Sequence, residues 1–235
     1  MQRKRSASLR VATVRLSLAV SLLLAPAAGY SRAATASAGS LLSPAAWTNA
    51  ALSGLDPKIL ALALEAVSAA VGRGQVGNPA TLTVIDYSKP STQKRMWVYD
   101  LRSHALLFDE LVSHGRGSGR TNATSFSNAP ESNKTSLGLF RTGEAYVGKN
   151  GYSLRLDGLE RGVNDRARDR AIVIHGAPYV NAQTARTNGY LGRSLGCPAV
   201  RPEIARALID AIKGGGLVFA YYPDQAWLKT SAYLN

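Results

Sequence analysis

The chain comprises 235 residues, 46% of them hydrophobic, with 28 Lys and Arg against 15 Asp and Glu and a formal net charge of +13. That length admits one folded domain plus a targeting segment, or at most two small domains, with enough apolar mass for a core. The single cysteine excludes an internal disulfide, and basic residues scattered without interleaved aromatics argue against a nucleic-acid binder.

The start of the chain carries Arg3, Lys4, Arg5, Arg10 and Arg15 and no acid, and the apolar run LSLAVSLLLAP follows. A basic segment ahead of an apolar stretch too short to span a bilayer has the form of a secretory signal, assigned to residues 1–30. Cleavage is expected between Ala27 and Ala38, leaving a mature protein with no stable membrane insertion. Without the five basic residues the formal charge is still +8 (13 − 5), which favours an anionic partner. For an exported chain, anionic cell-wall polymer is more accessible than DNA or RNA. Residues 31–43, mostly Ala, Ser and Gly, form a flexible tether in this reading.

An N-terminal helical segment is assigned to residues 44–78. Asp56-Pro57 supplies a cap and a first-turn proline, and Ile59, Leu60, Ala63, Leu64, Val67 and Val71 recur at helical spacing until Gly72 and Gly74. From residue 79 to 235 the pattern is that of one β-rich domain. Strands are predicted at Thr81–Asp86, Arg95–Asp100 and Ala105–Ser113, the last two joined by a hairpin turn that holds His104 in solvent. His114 ends the third strand and opens Gly115-Arg116-Gly117-Ser118-Gly119, whose spacing matches neither a dinucleotide fingerprint nor a P-loop. A polar loop follows at 121–130, then short strands at 136–142, 144–147 and 152–157, with Asn150-Gly151 marking a turn. The charged stretch 164–170 is compatible with a short helix. After residue 198 come an amphipathic helix from Pro202 to Lys213, ended by three glycines, and a last strand at 217–222.

The chemistry concentrates between Arg170 and Val200. Arg170–Ile174 is a short apolar strand with His175 at its mouth, and Gly176 lets the chain turn sharply. Past a polar loop, Arg193-Ser194-Leu195-Gly196-Cys197-Pro198 sets the only thiol in a glycine-bounded turn, 22 residues after the histidine (197 − 175). A thiol in such a turn is presented as a nucleophile more readily than one in an apolar strand, and an imidazole is the base it needs. One Cys and the dispersed His104, His114 and His175 form no metal-ligand spacing, so neither a metal nor any other cofactor is expected. Ser194 lacks the flanking glycines of a serine-hydrolase elbow and is expected to shape the turn.

His-Gly, a loop, then Arg-Ser-x-Gly-Cys-Pro resembles the active-site signature of L,D-transpeptidases of the YkuD type. Ser113–Gly119, Phe126-Ser127-Asn128, Ser136-Leu137-Gly138 and Leu156–Leu159 extend the resemblance over roughly Thr81 to Pro223. The chain departs from the more familiar members at Gly176, where they carry Ser or Thr, and at Leu195, where they carry His. The resemblance implies a mainly β fold, an L,D-transpeptidase-like β-sandwich or barrel core with peripheral helices. It implies Cys197 as nucleophile, His175 as acid and base, and Gly196 and Ser194 at the oxyanion turn. Arg193, His114, Ser127 and Asn128 are then candidate substrate contacts. Peptidoglycan stem peptides in the periplasm or cell envelope are the implied substrate. Water in place of an acceptor amine would give an L,D-carboxypeptidase or cysteine amidase, and loss of activity would leave a cell-wall binding module.

Overall fold

The computed structural model describes residues 42–47 and 52–235, so the signal sequence assigned to 1–30 and all but the end of the tether lie outside the described residues. Helix α1 (Pro57–Gly72) begins as the sequence suggests: the Asp56 carboxylate accepts from the Lys58 N–H, and Pro57 occupies the first turn. Its buried face, running from Ile59 to Ala70, packs on the sheet.

Eight strands make one sheet: β1 (Thr81–Asp86), β2 (Met96–Asp100), β3 (Leu106–Glu110), β4 (Gly138–Gly148), β5 (Gly151–Gly158), β6 (Val173–Gly176), β7 (Ala199–Val200) and β8 (Leu217–Tyr221). Their spatial order is β3-β2-β1-β8-β4-β5-β6-β7. Strand β1 is buried along its whole length, antiparallel to β2 and parallel to β8, so its Thr81, Thr83 and Asp86 side chains are buried along with Leu82, Val84 and Ile85. The two outer strands approach each other. Beyond β3, Ser113 N–H donates to the Ala199 carbonyl of β7, Ser194 N–H donates to the His114 carbonyl, and Arg116 N–H donates to the Ser194 carbonyl. Arg201 reinforces that seam with a fork onto Glu110 at 2.9 and 2.6 Å. The sheet is therefore nearly closed into a barrel, which leaves little unpaired edge.

Among the described residues three further α-helices follow, α2 (Ala182–Asn188), α3 (Pro202–Ile212) and α4 (Gln225–Thr230), with single 3-10 turns at Pro44–Ala46 and Arg116–Ser118. Helix α3 buries Ala205, Leu208, Ile209 and Ile212, the apolar stripe of its sequence, against β6 and its neighbours.

Several elements differ from expectation. The short strands expected at 136–142 and 144–147 are one long strand, 138–148: Gly143 does not break it but lies in a register shift between Thr142 and Ala145, and there Thr142 and Gly143 exchange backbone hydrogen bonds with the Gly214–Gly216 turn. The charged stretch 164–170 makes turns in place of a helix. His104 is half-buried with its ring 4.8 Å from that of Trp47, not a solvated turn residue. Helices α2 and α4 were legible only in their caps: Asn181 accepts from Thr184 N–H, Gly189 ends α2 with φ +71°, and Asp224 accepts from Trp227 N–H. Among the described residues no helix is long and apolar enough to cross a membrane.

Candidate active site

Strand β6 carries His175 near its end, although it starts at Val173, with Arg170 and Ala171 in a turn, and runs on through Gly176, which pairs with Val200 and makes no sharp turn. Its parallel pairing with β7 sets His175 opposite Ala199, two residues beyond Cys197. Closing the barrel thus brings the imidazole strand beside the thiol turn. The His175 Nδ1 atom lies 3.0 Å from the Gly176 carbonyl oxygen. A carbonyl only accepts, so Nδ1 carries the hydrogen and Nε2 keeps its lone pair. Burial pushes the imidazole below its ordinary value of 6.5, against a weaker opposing pull from that carbonyl, so the ring is neutral at neutral pH.

Cys197 is 8% exposed. Its Sγ lies 3.6 Å from the Ala171 carbonyl oxygen, to which the thiol donates, and 3.5 Å from the Val173 N–H, which donates to sulfur. Burial pushes the thiol up; the Val173 amide, and after it the Arg170 guanidinium, pull it back. Among the described residues no hydrogen bond joins the thiol to the His175 ring. The cysteine rests as a neutral thiol held to the start of β6.

The turn around it is held by side chains on both flanks. Ser194 Oγ accepts from the Gly196 N–H at 3.1 Å and donates to the Cys197 carbonyl at 2.6 Å. Thr135 Oγ1 accepts from the Gly115 N–H at 2.9 Å and donates to the Gly196 carbonyl at 3.0 Å, stapling the glycine-rich loop to the thiol turn. Glycine is required on both sides of that staple. Gly196 has φ +133°, and a Cβ there would meet Ile172 Cδ1 at 2.8 Å; a Cβ on Gly115 would fall on the Asn133 carbonyl oxygen and the Gly196 backbone. Leu195, 61% exposed, overhangs an open groove of about 560 Å³ that Asn133, Asp169, Arg170 and Ala171 also line.

The remaining candidates are engaged elsewhere. His114 is fully buried: Arg95 Nη2 donates to its Nδ1 at 2.8 Å, so Nε2 carries the hydrogen and faces the Gly119 carbonyl at 3.3 Å. It supports the glycine-rich loop from inside and presents no surface to a ligand. Arg193 donates to the Gly119 carbonyl at 3.1 Å and lies over the Tyr190 ring, bracing that loop against the segment after α2. Asn128 is bonded at both ends of its amide, to Asp165 at 2.7 Å and to the Arg166 N–H at 3.1 Å. The Ser127 hydroxyl accepts from the Ala129 N–H, while its carbonyl accepts from Arg170.

Sequence reasoning passed over Arg95, Thr135 and Arg170. Nothing local distinguishes them, because each acts on a partner 17 or more residues away. Among the described residues no group of three or more His, Cys, Asp or Glu is arranged to hold a metal ion.

A family model described as L,D-transpeptidase catalytic domain matches residues 51–221. A search of curated proteins returned no match. Among solved structures, L,D-transpeptidase 3 from Mycobacterium tuberculosis is 16% identical, with 61% of this chain covering 62% of that one at a TM-score of 0.40. An L,D-transpeptidase from Mycobacterium smegmatis is 15% identical, 61% of this chain covering 59% of that one at 0.38. One from Stackebrandtia nassauensis is 13% identical, 68% covering 66% at 0.37. The chain thus spans about three fifths of the length of the first solved relatives it matches, 59% in two of them.

Proposed function

The chain belongs to the L,D-transpeptidase catalytic-domain family, and from that premise we propose that it is a cysteine acyltransferase acting on peptidoglycan stem peptides. The observation that carries this reading is the pairing of β6 with β7, which sets an imidazole with a free Nε2 lone pair on the strand beside a thiol turn that borders an open groove.

In the proposed reaction the Cys197 side chain turns from the Ala171 carbonyl toward His175, which takes the thiol proton on Nε2. Sulfur attacks the carbonyl at the L-centre of the diamino acid, and His175 returns the proton to the departing D-alanine amine as the C–N bond breaks. The amine of a second stem peptide then attacks the thioester, giving its proton to His175; the C–S bond breaks as the cross-link forms, and the departing Cys197 sulfur takes that proton back. Catalytic contacts of this kind are often long before substrate binds, so the resting thiol is compatible with the scheme. Because Ser194 Oγ already holds the Gly196 N–H, we assign the oxyanion to the Cys197 amide, with Ser194 shaping the turn. Export by the leader at 1–30 would bring the enzyme to this substrate, and its basic surface would favour encounter with anionic wall polymer.

The test is incubation of mature protein with purified tetrapeptide muropeptides, followed by mass spectrometry. Dimers and free D-alanine, absent with Cys197→Ala, are expected. Tripeptide without dimer would make water the acceptor, and turnover by Cys197→Ala would remove the cysteine from the mechanism.

A further inference from the structure

Arg170 sits where the charged turns end and β6 is about to begin, and its guanidinium is held with unusual completeness for a half-buried side chain. Nη1 donates to the Ser127 carbonyl at 2.8 Å and to Ser136 Oγ at 2.6 Å; Nη2 donates to the Lys134 carbonyl at 2.6 Å and to Ser132 Oγ at 3.3 Å. These contacts engage both terminal nitrogens, so the group cannot fork onto a substrate carboxylate in the bidentate manner usual for arginine. All four acceptors are neutral. Among the described residues no carboxylate forms an ion pair with Arg170, although Arg168, two positions earlier, pairs with both Glu144 and Asp157. A partly desolvated cation with only dipoles for partners still favours an anion beside it.

The anion available is the nucleophile of the proposed reaction. The next residue, Ala171, holds the Cys197 thiol through its carbonyl at 3.6 Å. Arg170 Nη2 lies 3.5 Å from the point where a Cβ on Gly196 would project, and the Lys134 carbonyl it grips lies 3.0 Å from the same point. The guanidinium is therefore wedged against the Gly196–Cys197 turn, in the wall of the groove that Leu195 overhangs.

The other groups that face the sulfur do not supply a standing charge. His175 is neutral, its proton affinity lowered by burial. Tyr87 and Tyr179 both feel Cys197, and burial pushes both phenols up, so they stay protonated. Arg95 is turned away, over the ring of Tyr87 and onto His114. Burial pushes Arg170 down and Cys197 pulls it back up, the reciprocal of the effect Arg170 has on the thiol.

We propose that Arg170 is a positioning residue for acyl transfer: its fixed guanidinium stabilises the Cys197 thiolate once the proton has passed to His175, while the same contacts hold the 127–136 wall of the groove. The proposal rests on Cys197 being the nucleophile. It explains how a thiol that makes no hydrogen bond to its imidazole can ionise within a buried turn.

The test is the pH profile of Cys197 alkylation by iodoacetamide, a neutral probe, read by intact mass in the full mature chain. Arg170→Gln keeps hydrogen-bonding capacity and removes the charge; its alkylation midpoint is expected to rise by about one pH unit, the low end of the effect of an opposite charge within a few ångströms. Arg170→Lys is expected to stay near the wild-type midpoint although it loses most of the loop contacts. A purely structural role would lower thermal stability in both variants and leave both midpoints in place, which would overturn the proposal. So would a lysine variant shifted as far as the glutamine variant. If Arg170→Gln does not fold, Arg170→Lys decides alone, a shift of a full unit counting against the charge. Because alkylation needs no substrate, these outcomes are separate from those of the muropeptide assay, in which activity of Cys197→Ala is the result that rejects the transferase reading itself.

Discussion

Acid should weaken this fold through one buried histidine, and the size of the effect follows from its surroundings. Unfolded, His114 titrates near its ordinary value of 6.5; folded, burial and then the neighbouring Arg95 charge push it down to about 4. The folded state therefore takes up the proton less readily than the unfolded chain. The stability tied to this site is complete above pH 6.5, falls as the pH drops, and is gone once the pH has passed about 4. At about 1.36 kcal/mol for each pH unit, that interval corresponds to about 3 kcal/mol. His114→Gln isolates the contribution, because an amide accepts from Arg95 and donates toward Gly119 without titrating. His175, also pushed down, is common to both proteins and cancels in the comparison. Urea denaturation followed by tryptophan fluorescence at pH 7 and 4.5 is the assay. The parent protein is expected to lose about 2–3 kcal/mol more than the variant between those pH values. Equal losses in the two proteins would refute the assignment of His114 as a buried neutral member of the Arg95 pair.

Thr135→Val keeps the shape of the side chain and removes the staple between the Gly115 N–H and the Gly196 carbonyl. With two buried backbone groups left unpaired, unfolding free energy is expected to fall by about 2–5 kcal/mol in chemical denaturation, and a loss under about 0.5 kcal/mol would show that water or backbone adjustment replaces the threonine. His175→Ala is expected to slow acylation of Cys197 by a β-lactam about 10²–10⁴-fold, the usual contribution of a positioned acid–base group. His114→Gln should leave that rate close to the parent value at pH 7, and the reverse pattern would exchange the roles of the two histidines.

Much of this protein was legible in the order of its residues. The β-branched run at Thr81–Asp86, the helical spacing from Pro57 to Gly72 and the amphipathic stretch after Pro202 are local patterns, and local patterns specify strands and helices wherever the rest of the chain goes. The glycine-bounded thiol and the histidine at a strand mouth were visible for the same reason, as was the family they belong to. The roles of the surrounding side chains were not visible. His114 and His175 look alike in sequence, each following a strand and preceding a glycine. Tertiary structure separates them, burying one against Arg95 and setting the other beside the thiol turn with its Nε2 lone pair free. Gly143 punctuates the sequence as a break, yet pairing with β5 on either side carries the strand through it as a bulge. Thr135 and Arg170 carry no local signal at all. Their partners arrive only when the sheet curls and the segment after β3 meets β7, because hydrogen bonds and charges act over a few ångströms of space, however many residues of chain lie between.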